Sequence, residues 1–323
     1  MCPGHTGSRI KKSNLIHDLL QPEKNSGTAD MAIVFPHTRP ARVTSEVGHR
    51  GIRPGNASRL CFISGDACTF TCQFTVEGSS HIDVTLMFDG ADFHGWQVQD
   101  NAVTIQQTLQ NTVEKILGKR ENIIGCSRTD SGVHANMFCC NMRTDSDISP
   151  EKLKKALNAL LPSSISVKNC GEVPYSFHAR YDCTSKEYKY LILNSDYRNP
   201  FLFKRALYYP YYIDTDMLNS EAQDFIGTHD FSAFCAAGSS VEGKIRTVKN
   251  ASVIRNNEII EVTFEADGFL YNMVRIMVGT LLDINRGKIV PGSIPQIIES
   301  KDRNQAGATA APEGLYLNRV NYD

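Results

Sequence analysis

From residue 125 to residue 134 the chain reads Gly-Cys-Ser-Arg-Thr-Asp-Ser-Gly-Val-His. Ahead of this run, Glu121-Asn-Ile-Ile124 is short and apolar and reads as the end of a strand. Behind it, Ala135-Asn-Met-Phe-Cys-Cys-Asn-Met142 resumes a strand-like pattern, and Gly132 permits a backbone turn that a side chain would resist. Arg128, Thr129 and Asp130 therefore sit on a loop between two strands, where a rigid scaffold presents chemistry. Taken alone, Arg-Thr-Asp-x-Gly is also compatible with a surface turn carrying a local Arg/Asp pair.

Working outward, Ile82, Val84, Leu86 and Phe88 alternate with Asp83, Thr85 and Met87, which is a strand pattern. Val103 to Leu117 places Ile105, Leu109, Val113, Ile116 and Leu117 on one stripe of a helix, with Gly118 at its end. After the loop, Pro150 opens a second helix with Leu153, Leu157, Leu160 and Leu161 on its apolar face, and Ile165-Ser-Val167 starts another strand. Strand, helix, strand, strand, helix, strand is the split βαβ order.

The second half repeats the theme less regularly. Tyr188 to Leu193, Lys244 to Ile254 and Glu258 to Ala266 read as strands, and Thr215 to Ile226 as a helix. Tyr271 to Ile284 is a helix with apolar residues nearly all round, so it should be buried, and Arg275 within it is a buried cation directed at a cleft carboxylate or an arginine snorkelling to the surface. The fold class is α/β (α+β). The expected organisation is an extension over 1–80, an α/β half over 81–185 and a second over 186–323.

Blocks around the loop carry a family resemblance. They are Phe88-Asp-Gly-Ala-Asp-Phe-His-Gly-Trp-Gln97 with Val103-Thr-Ile-Gln106, then Phe177-His-Ala-Arg180, Lys186-Glu-Tyr-Lys-Tyr190, Asp230-Phe-Ser-Ala-Phe234, Asn272-Met-Val-Arg-Ile276 and Glu313-Gly-Leu-Tyr-Leu317. With the loop, they resemble in content and order the tRNA pseudouridine synthase A (TruA) family, over about residues 81 to 323. The family's usual loop is Gly-Ala-Gly-Arg-Thr-Asp-Ala-Gly-Val-His. Cys126, Ser127 and Ser131 depart from it, all remain small, and the Ser131 hydroxyl lies close enough in sequence to bond the Asp130 carboxylate.

The resemblance implies two ferredoxin-like or RNP-like halves, pseudo-symmetric about a central cleft, and an isomerase that turns uridine into pseudouridine at positions 38, 39 and 40 of the tRNA anticodon stem-loop. That reaction breaks an N-glycosidic bond, turns the uracil and joins its C5 to the same C1′. A carboxylate suits it without metal or redox cofactor, so none is expected. Asp130 matches the family's nucleophile and Arg275 the arginine paired with it, where a planar fork favours the ionised carboxylate. Arg128 matches the arginine that displaces the base, Tyr188 the tyrosine that packs against it, and Leu315 an apolar position beneath it. A stacked uridine must leave the helix before it can react, which costs a few kcal/mol. Arg180 and Lys186 are placed on phosphates. His134 and His178 invite a general-base reading, with a loop-stabilising hydrogen bond the plainer role for His134. The resemblance further implies a cytoplasmic homodimer that embraces tRNA.

Composition sets bounds but does not point to RNA. With 323 residues, 41% hydrophobic and 21% charged, the chain is long enough for two domains with buried cores. No apolar run approaches membrane-spanning length, and the ten cysteines form no pair of metal-type Cys-x-x-Cys clusters, so they read as reduced cytosolic thiols. Net charge is −1, and residues 81–323 hold 25 Lys and Arg against 29 Asp and Glu. Any RNA surface must therefore come from cations clustered on one face. Residues 1–80, rich in Pro, Gly and Ser, show no sustained periodicity and match nothing in the family. They read as a poorly ordered appendage or an over-extended start, with Met31 or another downstream start the native one. A transit peptide is the weaker reading, since Asp18 and Glu23 soon follow the basic Ser8–Ser13 run and no clear amphipathic face develops. Two other functions are compatible with the residues: a non-catalytic RNA-binding or folding-assistant protein, and a hydrolase using Asp130 with His134.

Overall fold

The computed structural model describes residues 79–238 and 241–322, so the expectations for residues 1–78 lie outside it. In β1 (Ser80–Phe88) the alternation becomes burial, with Ile82, Val84, Leu86 and Phe88 all inside. Helix α1 (Ile105–Leu117) begins two residues later than its apolar stripe suggests. Thr104 takes the cap position there, and its Oγ1 accepts from the Gln107 amide. Gly118 ends the helix in the left-handed conformation, φ 73°. Strands β2 (Ile123–Gly125) and β3 (His134–Thr144) flank the loop, followed by α2 (Pro150–Leu160), capped by Ser149, and β4 (Ile165–Glu172).

β1 lies antiparallel between β3 and β4, and β2 pairs with the other edge of β3. The order β4-β1-β3-β2 is the split βαβ arrangement, in which each helix joins two parallel strands separated by a third. The second half comprises β5 (Cys183–Leu193), β6 (Leu207–Tyr208), α3 (Thr215–Gln223), β7 (Gly227–Asp230), β8 (Ile245–Asn256), β9 (Ile259–Ala266), α4 (Met273–Asn285), α5 (Ile294–Ser300) and β10 (Leu315–Tyr322). Its order, β10-β5-β9-β8, repeats that of the first half, with β7 added at the far edge and β6 beside β5. Helix α3 stops short of Ile226 because its last turn tightens. The amides of Phe225 and Ile226 bond back three residues, and Gly227 then departs at φ 125°.

The two halves share one sheet. β2 covers β3 only opposite Cys140 to Met142, which leaves the first residues of β3 free to pair. β10 takes them in parallel, through Tyr316 with His134 and Leu317 with Ala135. Ten strands thus run through residues 80–322, and the chain's last strand stands beside the residue that closes the Arg-Thr-Asp loop. β3 is buried on both faces from Phe138 to Met142, so Cys139 and Cys140 are both inside. Part of its cover is the segment before β5: the Ala179 amide donates to Asn141 Oδ1, and Tyr322 donates to the Ala179 carbonyl.

Candidate active site

The loop of residues 126–133 is clamped by the segment that follows β1. The Trp96 amide donates to the Thr129 carbonyl at 3.2 Å, and the Gly132 amide to the Phe93 carbonyl at 3.1 Å. Ser131 Oγ also donates to the Phe93 carbonyl, at 3.4 Å, so it braces the loop and does not bond the Asp130 carboxylate. Trp96 stacks on Phe138 with ring centres 4.1 Å apart, and Gly125 lies against its indole, where a Cβ would come within 2.6 Å of the ring. Gly95 is the tightest point for the Asp130 backbone. It holds φ 82°, and a Cβ there would sit 2.3 Å from the Thr129 carbonyl oxygen. Gly95→Ala is therefore expected to lower stability by about 2 kcal/mol or more and to reduce turnover with it. Thermal melts beside a turnover assay check this; an unchanged melt would show that the loop does not depend on the clamp.

Asp130 and Arg275 come from opposite halves of the sheet and meet. Arg275 Nη1 donates to Asp130 Oδ2 at 3.1 Å. The pair is partly buried, with the arginine side chain 15% and the aspartate 27% exposed. Arg275 occupies the first turn of α4, where a cation works against the helix dipole. Three acceptors offset this: Asp130, the Ala310 carbonyl, which takes Nε at 2.8 Å, and Asn272 Oδ1, which takes Nη1 at 2.8 Å. Of the two sequence readings of Arg275, the cation facing a cleft carboxylate is the one observed.

Asp130 opens onto a cleft of about 1260 Å³. Alternation along β5 turns both Lys186 and Tyr188 toward it, and both are at least nine-tenths buried. Tyr188 packs edge-on against Phe269, with centres 5.1 Å apart, and its hydroxyl lies 3.4 Å from Ser127 Oγ. Burial pushes its pKa far above the ordinary phenol value, so the hydroxyl stays protonated. Leu315 and Leu270, both buried, supply apolar floor. Leu315 is fixed by pairing with Tyr190 and by Gly314, where a Cβ would collide with the Leu191 carbonyl. Arg128 and Arg180 are exposed along the same cleft. The Lys186 ammonium has no hydrogen-bond or ion-pair partner among the described residues. The structure thus gathers Asp130, Tyr188, Arg128, Leu315, Arg180 and Lys186 along one cleft, with Arg275 held behind Asp130. Its lining carries Arg128, Arg180, Lys186 and Arg246 against Asp130 and Asp267. That local excess of cations gives an anionic polymer a path that the chain's overall charge conceals.

Neither histidine is placed to move a substrate proton. His134 is 1% exposed and stacks on Tyr316, 4.6 Å between centres. Its Nδ1 lies 3.0 Å from the Gly90 amide and 3.1 Å from Asp89 Oδ1, while Nε2 lies 2.9 Å from the Lys204 carbonyl. Both ring nitrogens are engaged away from Asp130, and burial lowers the histidine pKa. His178 Nδ1 accepts from the Arg180 and Tyr181 amides and shapes its own turn. The sequence reading missed Asn272, the Ala310 carbonyl and Phe269. Asn272 was visible as the first residue of Asn-Met-Val-Arg-Ile, but a backbone carbonyl leaves no trace in residue types. No group of three or more His, Cys, Asp or Glu among the described residues could hold a metal ion, and no helix among them is long and apolar enough to cross a membrane.

Proteins named tRNA pseudouridine synthase A are similar to this chain at 45% identity in Thermoanaerobacter sp. (strain X514), 46% in Caldicellulosiruptor bescii and 43% in Acetivibrio thermocellus. Each match spans 242 residues, 75% of this chain and 99% of the relative. Among solved structures, a chain of a Cbf5-Nop10-Gar1 complex is similar at 12% identity and a TM-score of 0.29, over 73% of this chain and 57% of that one, a likeness too slight to bear on the fold. The family model described as tRNA pseudouridine synthase matches residues 85–182 and 222–323, which takes in the loop, Asp130, Arg275 and Leu315. The chain belongs to the tRNA pseudouridine synthase family.

Proposed function

We infer that this protein is an isomerase that converts uridine to pseudouridine in tRNA, with Asp130 as nucleophile, acting at positions 38, 39 and 40 of the anticodon stem-loop. The observation that carries the reading is Asp130, paired with Arg275 and facing a cleft rich in cations, beside a buried aromatic and an apolar floor. The N1–C1′ bond breaks, C5 bonds to C1′, and the proton leaving C5 is balanced by one gained at N1, so no atoms are lost. Asp130 supplies the carboxylate that forms or stabilises the intermediate, and Arg275 holds one of its oxygens. Tyr188 and Leu315 receive the uracil that has left the stack, where stacking contributes roughly 1–3 kcal/mol. Arg128, at the exposed end of the loop, displaces the base, and Arg180 and Lys186 meet phosphates.

The protein is further proposed to be cytoplasmic and to act as a homodimer across whose subunits the tRNA lies. Phe201 and Phe203, 86% and 71% exposed, are apolar surface that a second copy would cover. Residues 81–185 and 186–323 are read as its two halves, with 1–80 an appendage. A hydrolase built on Asp130 and His134 is disfavoured, because both ring nitrogens of His134 are engaged elsewhere.

The deciding experiment is a map of pseudouridine in unmodified tRNA incubated with the purified protein. Conversion at one or more of positions 38–40 with no change in mass is the expected result. Release of free uracil would instead indicate hydrolysis, and binding without conversion a folding assistant.

A further inference from the structure

We propose that Asn272 is a positioning residue for the reaction: it aims the Arg275 guanidinium at Asp130. The proposal rests on the reading of Asp130 and Arg275 as the reacting pair and adds the device that holds that pair in register.

Asn272 precedes the first turn of α4, the position where a side-chain oxygen ordinarily accepts a helix amide. It does not cap. Its backbone stands at φ 60°, ψ 10°, the left-handed region that most side chains avoid and asparagine tolerates. With the backbone so turned, Oδ1 accepts from Arg275 Nη1 at 2.8 Å, the same nitrogen that donates to Asp130 at 3.1 Å. Guanidinium nitrogens only donate, so the contact fixes the amide with its oxygen toward the arginine. Nδ2 has no partner among the described residues, and Asn272 lines the cleft.

The geometry over-determines one side chain. Nε is tied to the Ala310 carbonyl, and the Ala310 amide in turn donates to the Arg275 carbonyl at 3.0 Å, so backbone and side chain of Arg275 are held by the same residue. One bond at Nε still lets the rigid guanidinium plane tilt about that bond, and Asn272, by holding Nη1, limits the tilt. A cap given up and a left-handed backbone adopted are both unfavourable locally. A strained residue held in a cleft against a charged group is where such costs persist for function.

Asn272→Gly tests this, because glycine keeps the left-handed backbone and removes only the amide. Single-turnover conversion at saturating tRNA should fall about 10- to 100-fold, the worth of a hydrogen bond to a charged group. The Kd from filter binding should stay within about twofold, because phosphate contacts elsewhere dominate affinity. The second readout does not depend on turnover. The Arg275 Nε–H resonance, assigned in ¹⁵N spectra by its loss in Arg275→Lys, should exchange with solvent faster in Asn272→Gly than in the native protein. If Asn272→Gly does not fold, Asn272→Asp, which keeps an oxygen toward Arg275, should retain the slow exchange. Native turnover in Asn272→Gly, or unchanged Arg275 exchange there, or fast exchange in Asn272→Asp, overturns the proposal. Failure of the underlying reading shows separately, as turnover surviving in Asp130→Asn.

Discussion

Asp130→Asn is expected to bind tRNA about as well as the native protein and to form pseudouridine on the order of 10⁴-fold more slowly or worse. Asparagine fills nearly the same volume and can still accept one hydrogen bond from Arg275, so the loop clamped by Trp96 and Phe93 should keep its path. What disappears is the charge and the nucleophilic oxygen. No second carboxylate stands in the loop to replace it, and the other acid lining the cleft, Asp267, has its Oδ1 accepting from the Thr247 amide. Loss of the charge leaves Arg275 without its counter-ion, at a stability cost of about 2 kcal/mol for a pair that is only partly buried. Affinity should hold or rise slightly, because Asp130 repels phosphate and the cleft cations remain. The measurement is single-turnover conversion beside a filter-binding titration, after a melt has shown the variant folded. A folded variant converting uridine within about tenfold of the native rate would remove Asp130 as nucleophile.

The sequence shows the Asp130 carboxylate more clearly than its setting, for physical reasons. Arg128-Thr-Asp130 stands out as charge on a loop between two apolar runs, which alone also suits a surface turn, and the family blocks around it decide between the two. The helices announced themselves through their stripes and caps, Gly118 and Pro150 among them. The Asp130–Arg275 contact was legible only through the family resemblance, since 145 positions separate the partners and no local pattern encodes such a contact. The single sheet was not legible either. It depends on β2 being three residues long, which leaves the start of β3 open to β10. Ser131 illustrates the limit at one atom: proximity in sequence suggested a bond to Asp130, but the clamp brings the Phe93 carbonyl to its hydroxyl. His134 shows the reverse, since its plainer reading as a loop anchor follows from residue type alone and agrees with its contacts to Gly90, Asp89 and Lys204.

Arg275→Ala should harm both stability and rate, and the two losses can be separated. Removing the guanidinium strands three converging acceptors: Asp130 Oδ2, Asn272 Oδ1 and the Ala310 carbonyl. A half-buried carboxylate without its counter-ion costs about 2 kcal/mol, a fall of roughly 4–8 °C in Tm for a unit of this size. Turnover should drop on the order of 10³-fold, because the group that holds the Asp130 oxygen and balances its charge is gone. Arg275→Lys should recover part of the stability yet stay about tenfold or more below the native rate. One ammonium cannot reach the Ala310 carbonyl and the Asp130–Asn272 pair as a planar fork does. The double variant Asp130→Asn/Arg275→Ala separates the two losses. With no unpaired charge left, it should melt above Arg275→Ala while remaining as inactive as Asp130→Asn. Melting curves and single-turnover rates on the four proteins check the set. Arg275→Ala within about tenfold of native turnover would reduce the arginine to a structural partner, and a double variant no more stable than Arg275→Ala would show that the pair is not what the cleft stabilises.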